Sequence, residues 1–260
     1  MEDGISERDG KRLYRAPALE KGLDILELLA GEEQPLTVSA IVQRLGRSTG
    51  ELFRMIQVLE HRGFVEQGPT GYVMTPRLFH LGLKRPPMRN MLEQALPVMR
   101  QLTIDIGQSC HLGIQTGSDM AVIARMESTA AVGFAVRVGY RRPLHLTSTG
   151  AVLYAFQSPS IRGDWERLFK PAPSAEELND FRARADEIRV TGLGRQANPC
   201  INGMLDLSAP ILRGKQAIAV LTVPFLRLTD SAVSEDVACA AIRAAAAEIS
   251  SNLAFNDTHA

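Results

Sequence analysis

The chain has little cysteine. Its three residues, Cys110, Cys200 and Cys239, are odd in number and far apart in 260 residues. That spacing excludes a disulfide framework. Net charge is also absent, since 29 Lys/Arg stand against 29 Asp/Glu. A protein coated in positive charge is thereby excluded, and affinity for a polyanion has to come from local distribution. No apolar run reaches membrane-spanning length and no secretory pattern stands at the amino end. A cytoplasmic protein without a membrane partner is therefore expected.

Catalytic signatures are missing too. None of the five histidines stands at metal-ligand spacing from another His or Cys, so no metal site is expected. There is no Gly-x-Ser-x-Gly elbow and no phosphate-binding glycine loop. Cys110 and His111 are adjacent, and neighbours on a strand point to opposite faces, so they cannot act as a nucleophile–base pair. Nothing near Cys200 would lower its pKa enough for redox sensing. The expectation is a non-enzyme with no cofactor. No internal repeat is present, and the one biased stretch is an alanine run near the carboxy end.

What is present is organised around residues 18–82. Arg47–His61 places Leu52, Met55, Ile56 and Leu59 on one helical stripe, and Ser48 with Glu51 forms a capping-box pattern at its start. The opposite face carries Thr49, Phe53, Arg54 and Gln57. Upstream, Thr37 caps a short run Val38–Leu45, and Gly46 permits a sharp turn between the two helices. Residues 63–66 and Tyr72–Met74 read as strands joined by the turn Gly68-Pro69-Thr70-Gly71. Ala18–Ala30 is a further helix with Leu19, Leu23, Leu26 and Leu29–Ala30 on one side. This order spells a winged helix-turn-helix. Arg54 and Gln57 suit guanine and adenine in a major groove, while Arg47, Ser48, Thr49 and Thr70 suit phosphates. Between Lys11 and Arg85, Lys and Arg outnumber Asp and Glu by eleven to eight, a permissive excess.

The expected domains are a basic arm at 1–17 with Lys11, Arg12 and Arg15, the winged helix at 18–74, a linker helix at 75–87 and a second domain at 88–260. In the linker, Leu78, Phe79 and Leu81 form the apolar stripe. The second domain opens with a helix over Met88–Ile106. Strands are expected at Ser109–Gln115, Met120–Arg125 and Gly133–Val138, followed by a basic loop Gly139–Arg142. Helices follow at Thr149–Gln157, Ile161–Phe169 and Ser174–Val190, then an irregular stretch Thr191–Gly203. Strands Met204–Leu212 and Gln216–Pro224 and a helix over Ser231–Phe255 complete the chain. The fold class is α+β, with helices flanking an antiparallel sheet whose free face leaves room for a pocket.

The segments ALEKGLDILELLA, FRMIQVLEHRGFVE, GYVMTPRLFHLG, RRPLHLTSTGAVLYAF and LSAPIL–AIAVLTVP together resemble the IclR family of transcriptional regulators, from about Ala18 to Leu253. The resemblance implies a winged helix that binds double-stranded operator DNA as part of a homodimer or homotetramer. It also implies a GAF-like domain that binds a small effector, a carboxylate or aromatic acid. On that footing, effector contacts map onto His111, Phe134, Ser148, Thr149, Asp206 and Thr222. Two departures stand out. Gly50 and Glu51 occupy the places of a usual Ser-Thr pair, leaving Ser48 and Thr49 as the nearest substitutes. The stretch TGLGRQANPCING carries amides where members often have an acidic run, and Asp206 better suits an effector hydroxyl or amine than a carboxylate. The implied function is a regulator whose effector shifts the population of domain arrangements. The alternatives are a sensor or interaction module without DNA, or an enzyme acting on the pocket ligand.

Overall fold

The structure, a computed structural model, describes residues 16–83, 86–131, 133–198, 201–227 and 233–258. Lys11, Arg12 and Arg15 of the basic arm, and Cys200, lie outside the described residues. The chain separates into two compact units, Met1–Pro86 and Pro87–Ala260.

The first unit holds α1 (Pro17–Ala30), α2 (Val38–Leu45), α3 (Thr49–His61), β1 (Val65–Gly68), β2 (Gly71–Met74) and α4 (Arg77–Leu83). Thr37 caps α2 by accepting the Ala40 amide at 3.2 Å, and Gly46 ends it at φ 60°. A left-handed residue there lets the next helix start at once in a new direction. Ile25, Ile41, Leu52 and Ile56 are fully buried in one cluster. The wing is tied down by Leu36, which bridges to Tyr72. Sequence periodicity misplaced one face: Leu19 and Leu23 are 63% and 49% exposed, and Ile25 takes the core position with Leu26 and Leu29. The angular step is the reason, since Ile25, Leu26 and Leu29 already close a stripe of i, i+1, i+4 that faces α2 and α3. Leu78 and Leu81 of the linker helix are likewise exposed.

The second unit contains α5 (Pro86–Ile106), β3 (Cys110–Thr116), β4 (Asp119–Met126), β5 (Arg141–Pro143), a 3-10 turn at Leu144–Leu146, α6 (Ser148–Ala155), α7 (Pro159–Leu168), α8 (Ala175–Thr191), β6 (Gly194–Ala197), β7 (Met204–Arg213), β8 (Gln216–Leu226) and α9 (Glu235–Thr258). The six strands form an antiparallel sheet in the order β5-β4-β3-β8-β7-β6. The expected strand Gly133–Val138 is not a strand; the third strand of the hairpin group is β5, inside the stretch expected as a loop. Just after that segment, Gly139 donates its backbone amide to the Val122 carbonyl of β4, and the Val122 amide donates to the Tyr140 carbonyl. The stretch Thr191–Gly203 is irregular only in part, because β6 pairs there with β7.

The two faces of the sheet differ. Leu112, Leu207, Ala209, Leu221 and Val223 pack with α5 and α9 into one core. The alternate residues face α6, which with α7, α8 and Val220 makes a second core. Helix α6 is buried along its whole length and lies hard against its surroundings. A Cβ on Gly150 would stand 1.9 Å from the Leu144 carbonyl oxygen, and one on Gly113 of β3 would stand 2.6 Å from Thr149 Cγ2. Gly150 thus lets the helix start against the 3-10 turn, and Gly113 lets it lie against β3.

Candidate functional site

In the first unit, α3 buries Leu52 and Ile56 and turns Thr49, Phe53, Arg54 and Gln57 to solvent. Arg47, Ser48 and the wing-tip residue Thr70 are exposed as well. Arg54 makes no ion pair among the described residues, whereas Arg47 contacts Asp24 of α1 at 3.1 Å. That contact is between two exposed groups and is weak enough to exchange for a phosphate. The capping box expected at Ser48 does not form in full. The Ser48 side chain accepts no backbone amide; its hydroxyl donates to Glu51 Oε2 at 3.0 Å. Glu51 is drawn instead to Lys21 of α1, at 2.7 Å. The Lys21 and Ser48 hydrogen bonds hold its carboxyl below the usual range. An ionised carboxylate at the helix start is thereby occupied on the α1 side.

In the second unit a cavity of about 380 Å³ opens on the α6 face of the sheet. Five of the six residues mapped by resemblance line it: His111, Phe134, Thr149, Asp206 and Thr222. Ser148 does not. It is 2% exposed, and its hydroxyl lies 3.0 Å from the Cβ position of Gly194, turned into the packing of β6. The helical step explains the miss: adjacent residues at a helix start point about a quarter turn apart, and Thr149 takes the cavity side. Sequence reasoning also missed Met120, Val136, Arg137, Tyr140, Arg142 and Asn198 on the wall. The run Arg141–Arg142 and the amide of Asn198 were visible, but only the curl of the sheet brings β5 and the turn after β6 over the same space.

The polar floor is built by register. Thr222 pairs with His111 on one side and Ser208 on the other, so the three share a face. Thr222 Oγ1 lies 2.9 Å from Thr149 Oγ1 and 3.0 Å from Ser208 Oγ. His111 is 4% exposed, its Nδ1 has no partner, and burial pushes its pKa down to about 4, so the ring is neutral. Its neighbour Cys110 faces the opposite core, where burial pushes the thiol up to about 12. That leaves the thiol inert and separate from His111.

Asp206 stands at another corner. Burial raises its pKa, opposed by a hydrogen bond from Asn198 Nδ2 at 3.0 Å and by the charge of Arg142. Arg137 is exposed on the wall and pairs with no carboxylate among the described residues. Behind α6, Tyr154 donates to Glu166 and Arg182 grips the same carboxylate at 2.6 and 2.8 Å, which fixes the helix from its far side. No cluster of His, Cys, Asp and Glu suited to a metal occurs among the described residues, and no helix among them is long and apolar enough to cross a membrane.

Comparison with known proteins agrees along nearly the whole length. The family model of the IclR helix-turn-helix domain matches residues 18–69. That of the bacterial transcriptional regulator IclR C-terminal domain matches residues 87–251. The chain is 30% identical over 226 residues to the probable transcriptional regulator SauR of Cupriavidus necator, covering 79% of this chain and 85% of that one. It is 26% identical over 246 residues to the HTH-type transcriptional regulator KdgR of Escherichia coli, covering 91% and 92%. A crystal structure of an IclR homolog complexed with 4-hydroxybenzoate, from Microbacterium hydrocarbonoxydans, superposes with a TM-score of 0.74 at 22% identity, covering 91% and 98%.

Proposed function

The chain belongs to the IclR family of DNA-binding transcriptional regulators, and from that premise we propose that it recognises its operator through α3 and answers to a small organic acid held in the second unit. The carrying observation is the convergence of His111, Phe134, Thr149, Asp206 and Thr222 on one cavity. Its volume lies at the lower end of the range for small-molecule sites, and its mix of apolar wall and few polar groups is what such sites use.

In this reading Arg54 and Gln57 contact base edges, and Phe53 lies among them against the groove. Arg47, Ser48, Thr49 and Thr70 hold phosphates and set register. The winged helix spans residues 18–74, the linker helix 75–87, and the GAF-like effector domain 88–260. The protein works in the cytoplasm as a homodimer or homotetramer, because two-fold operators require paired reading heads. The effector biases one arrangement of those heads over another by its differential affinity. The family members it resembles are regulators rather than enzymes, and the acid is bound, not turned over.

The test is direct. Fluorescence anisotropy with DNA from the region upstream of its own gene should show affinity that falls steeply between 50 and 200 mM salt, on the order of 10³-fold if six phosphates are neutralised. A panel of small acids should raise the melting temperature and shift that affinity. A protein blind to this DNA at low salt would be left as a sensor module.

A further inference from the structure

We propose that the cavity ligand is an organic acid carrying a hydrogen-bond donor, a hydroxyl or an amine, at the end remote from its carboxylate. This rests on the effector reading above and narrows it.

The floor is arranged to donate. Ser208, Thr222 and Thr149 own one hydroxyl proton each, and two hydrogen bonds join them. One proton is left over. If the chain ran from Thr149 to Ser208, that proton would sit on Ser208, which is fully buried and has no other partner among the described residues. A buried unused donor costs free energy, so Ser208 donates to Thr222, and the spare proton belongs to Thr149 or to Thr222. Both threonines line the cavity, so in either arrangement the spare proton is offered there. Beside it His111, nine-tenths buried and more, has an Nδ1 without a partner. Thr149 also lies in the first turn of α6, whose amino end attracts negative charge. An anion fits this corner.

The other corner is arranged to accept. Asp206 precedes Ser208 by two residues on β7 and shares its face, a displacement of about 7 Å. Asn198 occupies Oδ1, and Oδ2 accepts no hydrogen bond among the described residues. A plain acid would satisfy the floor and bring no donor to Asp206, which would keep only Asn198 and the charge of Arg142. A diacid would set two carboxylates together, which is repulsive. A neutral ligand would waste the floor. An acid with a donor at its far end satisfies both corners, its body against Phe134, Val136 and Ile201.

Calorimetric titration of the full-length protein with matched series tests this. One series is benzoate, 4-hydroxybenzoate, 4-aminobenzoate and 4-methoxybenzoate; the other is pentanoate, 5-hydroxypentanoate and 5-methoxypentanoate. In at least one series the donor-bearing acid should bind about tenfold tighter than its methoxy twin, the scale of a hydrogen bond to a charged group. Asp206→Asn keeps an acceptor for Asn198 and should cut that preference to threefold or less, while the unsubstituted acid binds as well or better. A misfolded variant would weaken every acid alike. Equal binding of methoxy and hydroxy acids, or a preference that survives Asp206→Asn, overturns the inference and spares the effector reading. Failure of every acid in both series overturns both.

Discussion

The two units place their candidate contact residues in opposite ways. The first exposes its chemistry: Arg54 and Gln57 stand in solvent on a helix whose other side is a small apolar core. The second hides its chemistry, holding His111, Thr149 and Thr222 at no more than 4% exposed on the inner face of a sheet. An exposed contact side chain can be changed with little harm to the fold. A buried one is also a packing element, so function and stability there cannot be altered separately.

Glycine in helices offers the sharpest contrast between the units. Gly150→Ala should destabilise the second unit by on the order of 4 kcal/mol or more, because backbone rather than a flexible tip stands at 1.9 Å. Circular dichroism melts would break the contrast if the variant lost less than about 1 kcal/mol. Acid should separate the units next. His111 has its pKa lowered to about 4 from 6.5 by burial, so the unfolded chain takes up its proton first as pH falls. Stability from this group is intact above about pH 6.5 and drains away down to about pH 4, by about 3 kcal/mol in full. His145, also lowered chiefly by burial, adds loss in the same direction. Urea melts of wild type and His111→Gln at pH 7.0 and 4.5 measure the difference, and equal slopes would remove His111 from the account.

Arg54→Ala should weaken operator binding by roughly 1–3 kcal/mol and relax discrimination at one base pair, leaving acid binding unchanged. An operator titration showing a uniform loss across all sequences would move Arg54 from bases to phosphates. The smallest effect is expected at Gly50, where a Cβ meets nothing within 4 Å. Gly50→Ala should stabilise α3 by up to about 1 kcal/mol through helix propensity, the reverse in sign of its counterpart in α6.

Long elements were legible in the sequence because periodicity over many residues is hard to mimic. Helix α5 fills the expected span Met88–Ile106 and buries Met91, Ala95, Val98, Met99, Leu102 and Ile106 at helical spacing. Short ones were not. The three residues of β5, Arg-Arg-Pro, show no alternation, and their pairing with β4 is decided by tertiary context. Phe134, Val136 and Val138 do alternate, yet their segment walls a cavity instead of joining the sheet. Asp206 was noticed as an oddity by its charge. Its partner Asn198 stands eight residues earlier, across the β6–β7 connection, and its neighbour Arg142 comes from a distant stretch, so no local signal joins the three.

The glycines in and around α6 also bear on how the cavity could be reshaped. Gly113, Gly150 and Gly194 each leave a neighbour closer than 3 Å to where a methyl would go. The base of the cavity therefore has no room for an added methyl at these three positions. Val136, Arg137 and Ile201 stand on an outer wall that no such glycine pins. A biosensor engineer would diversify that wall alone, changing the lining of the cavity while its closely packed base stays constant.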